Sequence, residues 1–181
     1  MREIDITVCG LANAGKTTIV KYLETGRFVN TQPTMGINRG ETIQFEKLEI
    51  NIFDLGGQED FQILWPEVNE KSDGVVFVVD KNDHMNFNLA RETFHNIIDT
   101  QINKDVIVLL LLHKSDIPDG MERNRFIKEF GLLELSYKWA CYETSAKTGE
   151  NIFESFRWFF EQLKDELFKA VLSINVKSII D

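Results

Sequence analysis

The stretch IDITVCGLANAGKTTIVKYLE, residues 4–24, sets the fold. IDITVCG (4–10) reads as a strand, and TTIVKYLE (17–24) places Ile19, Val20 and Leu23 on one helical face. Between them GLANAGKT (10–17) fits G-x-x-x-x-G-K-[ST], in the strand–loop–helix context that this motif requires. Glycines let the backbone wrap closely around an anion, and successive N–H groups point inward at the helix N-terminus. Gly10, Asn13, Ala14, Gly15, Lys16, Thr17 and Thr18 are therefore candidate phosphate-binding residues. Lys16 reaches the outer phosphates, and the Thr17 hydroxyl is a ligand for Mg²⁺. A lone glycine turn between strand and helix would be mere connection; the flanking elements favour the anion site. The loop by itself implies only a nucleoside triphosphate.

Working outward, strand-like and helix-like runs keep alternating. TIQFE (42–46) and LEINIFDL (48–55) alternate and meet at a tight turn near Glu46 and Lys47, a hairpin. GVVFVVD (74–80) and VIVLLLL (106–112) are continuous apolar runs, the mark of strands covered on both faces. Between them Phe87, Ala90, Phe94, Ile97 and Ile98 recur at helical spacing, and KWACYET (138–144) is a last strand before a long helix from about Asn151. The expected fold is an α/β P-loop domain: a six-stranded, mostly parallel sheet with one antiparallel edge strand and helices on both faces. Ligands of such sheets sit outside the carboxyl ends of the strands, where Cys9-Gly10, Asp54, Asp80, His113 and Thr144 stand.

The bulk numbers bound the function. A chain of 181 residues suits one domain with a sizeable core. A net charge of −9 argues against nucleic acid or an anionic membrane as a main partner. Cys9 and Cys141 sit in apolar runs and read as buried free thiols of a reducing compartment. Arg2, Glu3 and Asp5 break any apolar leader, and VIVLLLL is too short to span a membrane. Arg2 in place of glycine and the lack of a C-terminal cysteine leave no lipidation motif. A cytoplasmic location is expected, with any membrane contact made through partners.

Three further segments narrow the ligand. In FDLGGQED (53–60), Asp54 ends a strand and can hold a Mg²⁺-bound water, Gly57 can offer its N–H to a terminal phosphate, and Gln58 can orient an attacking water. D-x-x-G alone is a weak signal; its order after the phosphate loop makes it strong. In TQPTMGIN (31–38), the Thr34 hydroxyl can complete the Mg²⁺ shell and sense the γ-phosphate. In HKSD (113–116), Asp116 can accept hydrogen bonds from the ring N–H and the exocyclic amine of guanine. Adenine has no such donor pair, and a buried carboxylate facing it would be left unpaired. The Lys114 stem can cover the nucleotide. In TSAKTG (144–149), beside Ser145, the Ala146 N–H can meet the guanine carbonyl oxygen and Lys147 can lie over the base.

Together these segments resemble the Ras-like small GTPases and, within them, the Arf family. GLANAGKTT, QPTMGIN, FDLGGQED, LWPEV, FVVDKND, KSDIPD and FGLLEL are similar to Arf segments in the same order, over roughly residues 3–165. The resemblance implies a GTP/GDP switch that hydrolyses GTP slowly, with two switch loops around Thr34 and Gln58. It implies effector proteins, an exchange factor and an activating protein as partners. The alternative is a scaffold that holds GTP or GDP without significant turnover; Asp116 with SAK argues against an ATPase or kinase.

Two departures stand out. His113 occupies a position where most relatives carry Asn, though Rag-type GTPases resemble this chain in their His-Lys-x-Asp. Neutral imidazole, like an amide, offers one donor and one acceptor. The chain also starts at its first strand, so the membrane behaviour of the lipidated Arf N-terminal helix does not carry over. The expected organisation is a GTPase domain over residues 1–165 and a helical extension over 166–181. Phe156, Phe160, Leu163, Leu167, Val171 and Ile174 continue one apolar stripe into that extension, which is expected to pack on its own domain or on a partner subunit, as a monomer or a dimer.

Overall fold

The computed structural model describes residues 2–180, with side chains as far as Leu167 and at Lys169. In chain order the elements are β1 (Arg2–Cys9), α1 (Lys16–Thr25), β2 (Ile37–Arg39), β3 (Ile43–Phe45), β4 (Leu48–Leu55), α2 (Glu59–Gln62), α3 (Trp65–Asn69), β5 (Gly74–Asp80), α4 (Phe87–Thr100), β6 (Ile107–His113), α5 (Arg123–Glu129), a 3₁₀ turn (Leu132–Glu134), β7 (Trp139–Thr144) and α6 (Ile152–Ile180). The sheet order is β2-β4-β1-β5-β6-β7, with β3 also paired to β4. The ladders joining β4, β1, β5, β6 and β7 are parallel, while β2 and β3 run antiparallel to β4.

Seven strand segments thus fill six positions, because β2 and β3 are two halves of one edge strand. The break is a bulge. Arg39 faces Phe53 and Ile43 faces Ile50, so residues 40–42 oppose only Asn51 and Ile52. Asn51 is its hub: Oδ1 accepts from Arg39 Nη2 at 2.7 Å and Thr42 Oγ1 at 3.0 Å, and Nδ2 donates to Asp5 Oδ1 at 2.8 Å. The Glu24 carboxylate of α1 accepts the Glu41 N–H at 2.9 Å. The sequence reading places only 42–46 in the hairpin; it misses β2 because all three of its residues are exposed and carry no apolar pattern. The turn itself is where expected, with Glu46 in the left-handed region at φ 53°.

Burial on both faces explains the runs in β5 and β6. Val76, Val78, Leu109 and Leu111 share a core with Ile19 and Val20 of α1 and Phe156, Phe159 and Phe160 of α6. Val75, Phe77, Val108, Leu110 and Leu112 face the other way, onto Trp65, Phe94, Ile97, Phe126 and Phe130. Each fully buried side chain of this size contributes about 1.5–3 kcal/mol. Phe126 and Phe130 stack at 4.5 Å between ring centroids. Cys9 and Cys141 are free and buried, as expected, and burial pushes both thiols up to about 12, which leaves them inert. Helices α2, α3 and α5, of 4, 5 and 7 residues, are too short to show a period in the sequence.

In α6 the stripe of Phe156, Phe160 and Leu163 is buried and Leu167 packs at its margin. The expectation for what residues 170–181 pack against lies outside the residues whose side chains are described. Among the described residues no helix is long and apolar enough to cross a membrane. Phe156 is 1% exposed and Phe153 is 50% exposed on the same helix. Phe156→Ala should therefore cost about 3–5 kcal/mol in urea unfolding, whereas Phe153→Ala should cost about 1 kcal/mol or less.

Candidate functional site

The segments that follow β1, β4, β6 and β7 line one cleft of about 550 Å³ at the carboxyl edge of the sheet. Its floor is the loop from Gly10 to Gly15. Asn13 (φ 63°) and Gly15 (φ 101°) take left-handed backbone, which turns the loop directly into α1. No side chain caps α1, so its first N–H groups face the cleft. Asn13, Gly15, Lys16, Thr17 and Thr18 line it. Ala14 is buried at 3%, and Gly10 lies behind the loop, its Cα against the Val78 carbonyl. Neither is among the lining residues. Lys16 Nζ donates to the Leu11 carbonyl at 2.8 Å. Burial pushes the Lys16 amine down to about 8, against the pull of Asp54. A Cβ on Gly57 would collide with Lys16 Nζ and the Leu11–Ala12 backbone, so only glycine lets β4's exit approach the loop.

Three sequence-predicted metal ligands meet beside Lys16. Thr17 Oγ1 donates to Asp54 Oδ2 at 2.5 Å and shares a 2.7 Å hydrogen bond with Thr34 Oγ1. Thr34 Oγ1 also lies 3.1 Å from Asp54 Oδ2, so its single proton can go either to the carboxylate or to Thr17. Asp54 is fully buried, and burial raises its carboxyl above the usual range despite the Thr17 bond. Among the described residues, its Oδ1 is the one buried side-chain nitrogen or oxygen without a hydrogen-bond partner. Gln58 is exposed at the cleft and precedes α2.

The other end of the cleft is built by the exits of β6 and β7. Lys114 Nζ donates to the Asn13 carbonyl at 2.8 Å and pairs with Asp80 Oδ2 at 2.6 Å. Ser145, buried and behind the lining, donates to Asp116 Oδ1 at 2.6 Å and holds that carboxyl below its usual range. Asp116, Ala146 and Lys147 line the cleft. The Asp116 carboxylate is exposed toward the cleft. His113 is buried at the root of this end. Its Nδ1 shares a 2.9 Å hydrogen bond with Thr144 Oγ1, and its Cδ2 would lie 2.5 Å from a Cβ on Gly15, so the ring packs flush on the phosphate loop.

Sequence reasoning missed several contributors. Phe28, 47% exposed, lines the cleft together with Thr31 and Ile117. The available signal for Phe28 was a large aromatic just past Gly26, the glycine that ends α1. Thr31 Oγ1 bonds Thr18 Oγ1 at 3.0 Å, which ties the loop before β2 to α1.

Residues 1–163 match the ADP-ribosylation factor family. The chain belongs to the Arf family of small GTPases. A solved structure of the Arl6 BBS3 small GTPase from Trypanosoma brucei, with bound nucleotide analogue GppNp, superposes with a TM-score of 0.79. It is 23% identical and covers 91% of this chain and 99% of its own, a likeness of fold.

In this Arf-family chain, burial and then the Lys114 charge push the His113 imidazole down to about 4. The folded ring is neutral, while an unfolded histidine takes a proton near pH 6.5. As pH falls from about 6.5 to about 4 the unfolded state gains a proton that the folded state refuses, so stability is lost across that window. The loss should approach about 3 kcal/mol. His113→Asn should flatten it, measured as the difference in unfolding free energy between the two proteins at each pH.

Proposed function

We propose that the chain is a molecular switch that binds GTP or GDP with Mg²⁺, hydrolyses GTP slowly, and recruits effectors through the loops around Thr34 and Gln58. The observation that carries this reading is the unpaired, buried Asp54 Oδ1, whose carboxylate lies behind the Thr17 and Thr34 hydroxyls that line the cleft with Lys16 and Asp116. One carboxylate and two hydroxyls are hard oxygen donors that suit Mg²⁺, which keeps waters and phosphates in its shell. Thr17 and Thr34 would ligate the ion and Asp54 would hold a metal-bound water. When bound, Mg²⁺ neutralises charge on the phosphate oxygens.

The chain's own groups do the rest. The α1 N-terminus and Lys16 bind the phosphates, and Gly57 offers a backbone N–H to the terminal one. Thr34 lies between exposed neighbours Pro33 and Met35, and its hydroxyl, with the Thr31–Thr18 bond and the Gly56 N–H on the Gly36 carbonyl, holds its loop. Loss of the terminal phosphate frees that loop and changes the surface that effectors meet. Gln58 orients the attacking water. Among the described residues no arginine lines the cleft, so fast turnover needs an arginine from an activating partner. Asp116, ionised with Oδ1 held by Ser145, accepts the guanine donors, while Ala146 and Lys147 close over the base. We assign this activity to residues 1–165, with 166–181 as a helical extension, and place the protein in the cytoplasm, reaching membranes through its partners.

Single-turnover assays of the purified chain should give GTP hydrolysis at about 10⁻⁴ to 10⁻³ per second. Gln58→Leu should bind GTP normally and resist stimulation by an activating protein. No hydrolysis above the buffer rate would favour the non-hydrolysing scaffold.

Asp116→Asn exchanges an acceptor pair for a mixed donor and acceptor edge, so it should shift preference from guanine to xanthine nucleotides. Competition binding reads this directly, and equal competition by ATP in the wild type would defeat the guanine assignment.

A further inference from the structure

We propose that Asp80 is a positioning residue that holds Lys114 as a strut across the nucleotide cleft and thereby sets how long a nucleotide stays bound; this rests on the switch reading above. Lys114 Nζ spans two elements, with Asp80 Oδ2 at 2.6 Å behind it and the Asn13 carbonyl at 2.8 Å in front. Asn13 belongs to the phosphate loop and Lys114 to the base loop, so this one ammonium ties the two halves of the cleft together. Asp80 itself is not among the residues that line the cleft, so it acts on the ligand through Lys114.

The pair is partly shielded, with side-chain exposures of 31% for Lys114 and 19% for Asp80. Charge-assisted bonds in such a setting are stronger than on an open surface. The support behind Asp80 is also built. Its Oδ1 accepts the Asn82 N–H at 2.9 Å, Asn82 Nδ2 donates to the Lys114 carbonyl at 3.3 Å, and the Lys81 N–H donates to the His113 carbonyl at 3.0 Å. The turn after β5 is thus fastened to the turn after β6 on both sides of Lys114. This matters because Lys114 has φ 64°, a left-handed conformation that residues with a side chain rarely adopt. Such a residue keeps its place only when its surroundings fix it. Removing the Asp80 carboxylate leaves the ammonium with the Asn13 carbonyl alone and frees it to leave the loop.

The test is the dissociation rate of a fluorescently labelled GDP from the full chain in Mg²⁺. Asp80→Ala should release it roughly tenfold faster, the scale of one hydrogen bond to a charged group. Asp80→Asn keeps the acceptor for Asn82 and loses the charge, so it should show most of that acceleration with a melting temperature close to wild type; it carries the test if the alanine variant folds poorly. Lys114→Ala should also speed release, and adding Asp80→Ala to it should change nothing further. Wild-type rates in both Asp80 variants, or fully additive effects in the double variant, would overturn the strut while leaving the switch reading intact. Failure of the wild type to retain GDP at all would overturn both.

Discussion

Parallel pairing at the ends of β5, β6 and β7 fixes where the groups of the cleft stand. Asp80 lies opposite His113, and His113 opposite Thr144. On the other side Val8 lies opposite Asp54 and Cys9 opposite Phe77. A slip of one residue in any ladder would turn a cleft residue into a core residue, since side chains alternate faces. The slip is opposed by the core. Val75 to Val79 and Ile107 to Leu112 are buried on both faces, so every strand residue has a packing partner that depends on register. Apolar burial on two sides of a sheet is therefore what aims the polar groups at its end.

Electrostatics then separates the inside of the cleft from the outside of the molecule. The chain carries a net charge of −9, yet Lys16, Lys114 and Lys147 converge on the cleft. A buried cation costs energy unless it is compensated. Lys16 has the Leu11 carbonyl and the Asp54 charge, and its amine is still lowered to about 8 by burial. Lys114 has Asp80. A small polyanion entering this cleft supplies the compensation that Lys16 lacks, while the acidic exterior discourages large polyanions such as nucleic acid.

Contiguous stretches were legible in the sequence and contacts between distant stretches were not. The phosphate loop reads directly because its chemistry and its turn are local, and β5 and β6 read directly because both faces are apolar. The first half of the edge strand was missed because Ile37, Asn38 and Arg39 are all exposed, and its bulge depends on Asn51 and Glu24 from other elements. Asp116 was read from its motif, while the Ser145 bond that holds its Oδ1 joins two loops 29 residues apart. Asp80 was visible as a strand-end residue, while its bond to Lys114 required the β5–β6 register. His113 was read as able to serve either the base or the phosphate loop; the structure packs its ring on Gly15 and bonds it to Thr144.

Both margins of the sheet are blunted, which constrains how other proteins can engage it. At β7 the outward carbonyls of Cys141 and Glu143 are taken by Arg123 Nε and Asn151 Nδ2, each at 2.9 Å. At the opposite margin the edge strand is cut into two three-residue pieces by its bulge. Capped carbonyls and short, bulged edges both oppose addition of a strand from another chain. Partners are left to bind side chains, and Met35, Ile37, Ile63 and Leu64 are exposed close to the cleft, 75% and 81% so for Met35 and Ile63. The Cδ1 of Leu64 would sit 3.9 Å from a Cβ on Gly36, so the loop before β2 and the segment after α2 approach each other there. Thr34 and Gln58 flank that contact in sequence, and whatever holds them in the cleft also decides which apolar side chains stand together on the surface.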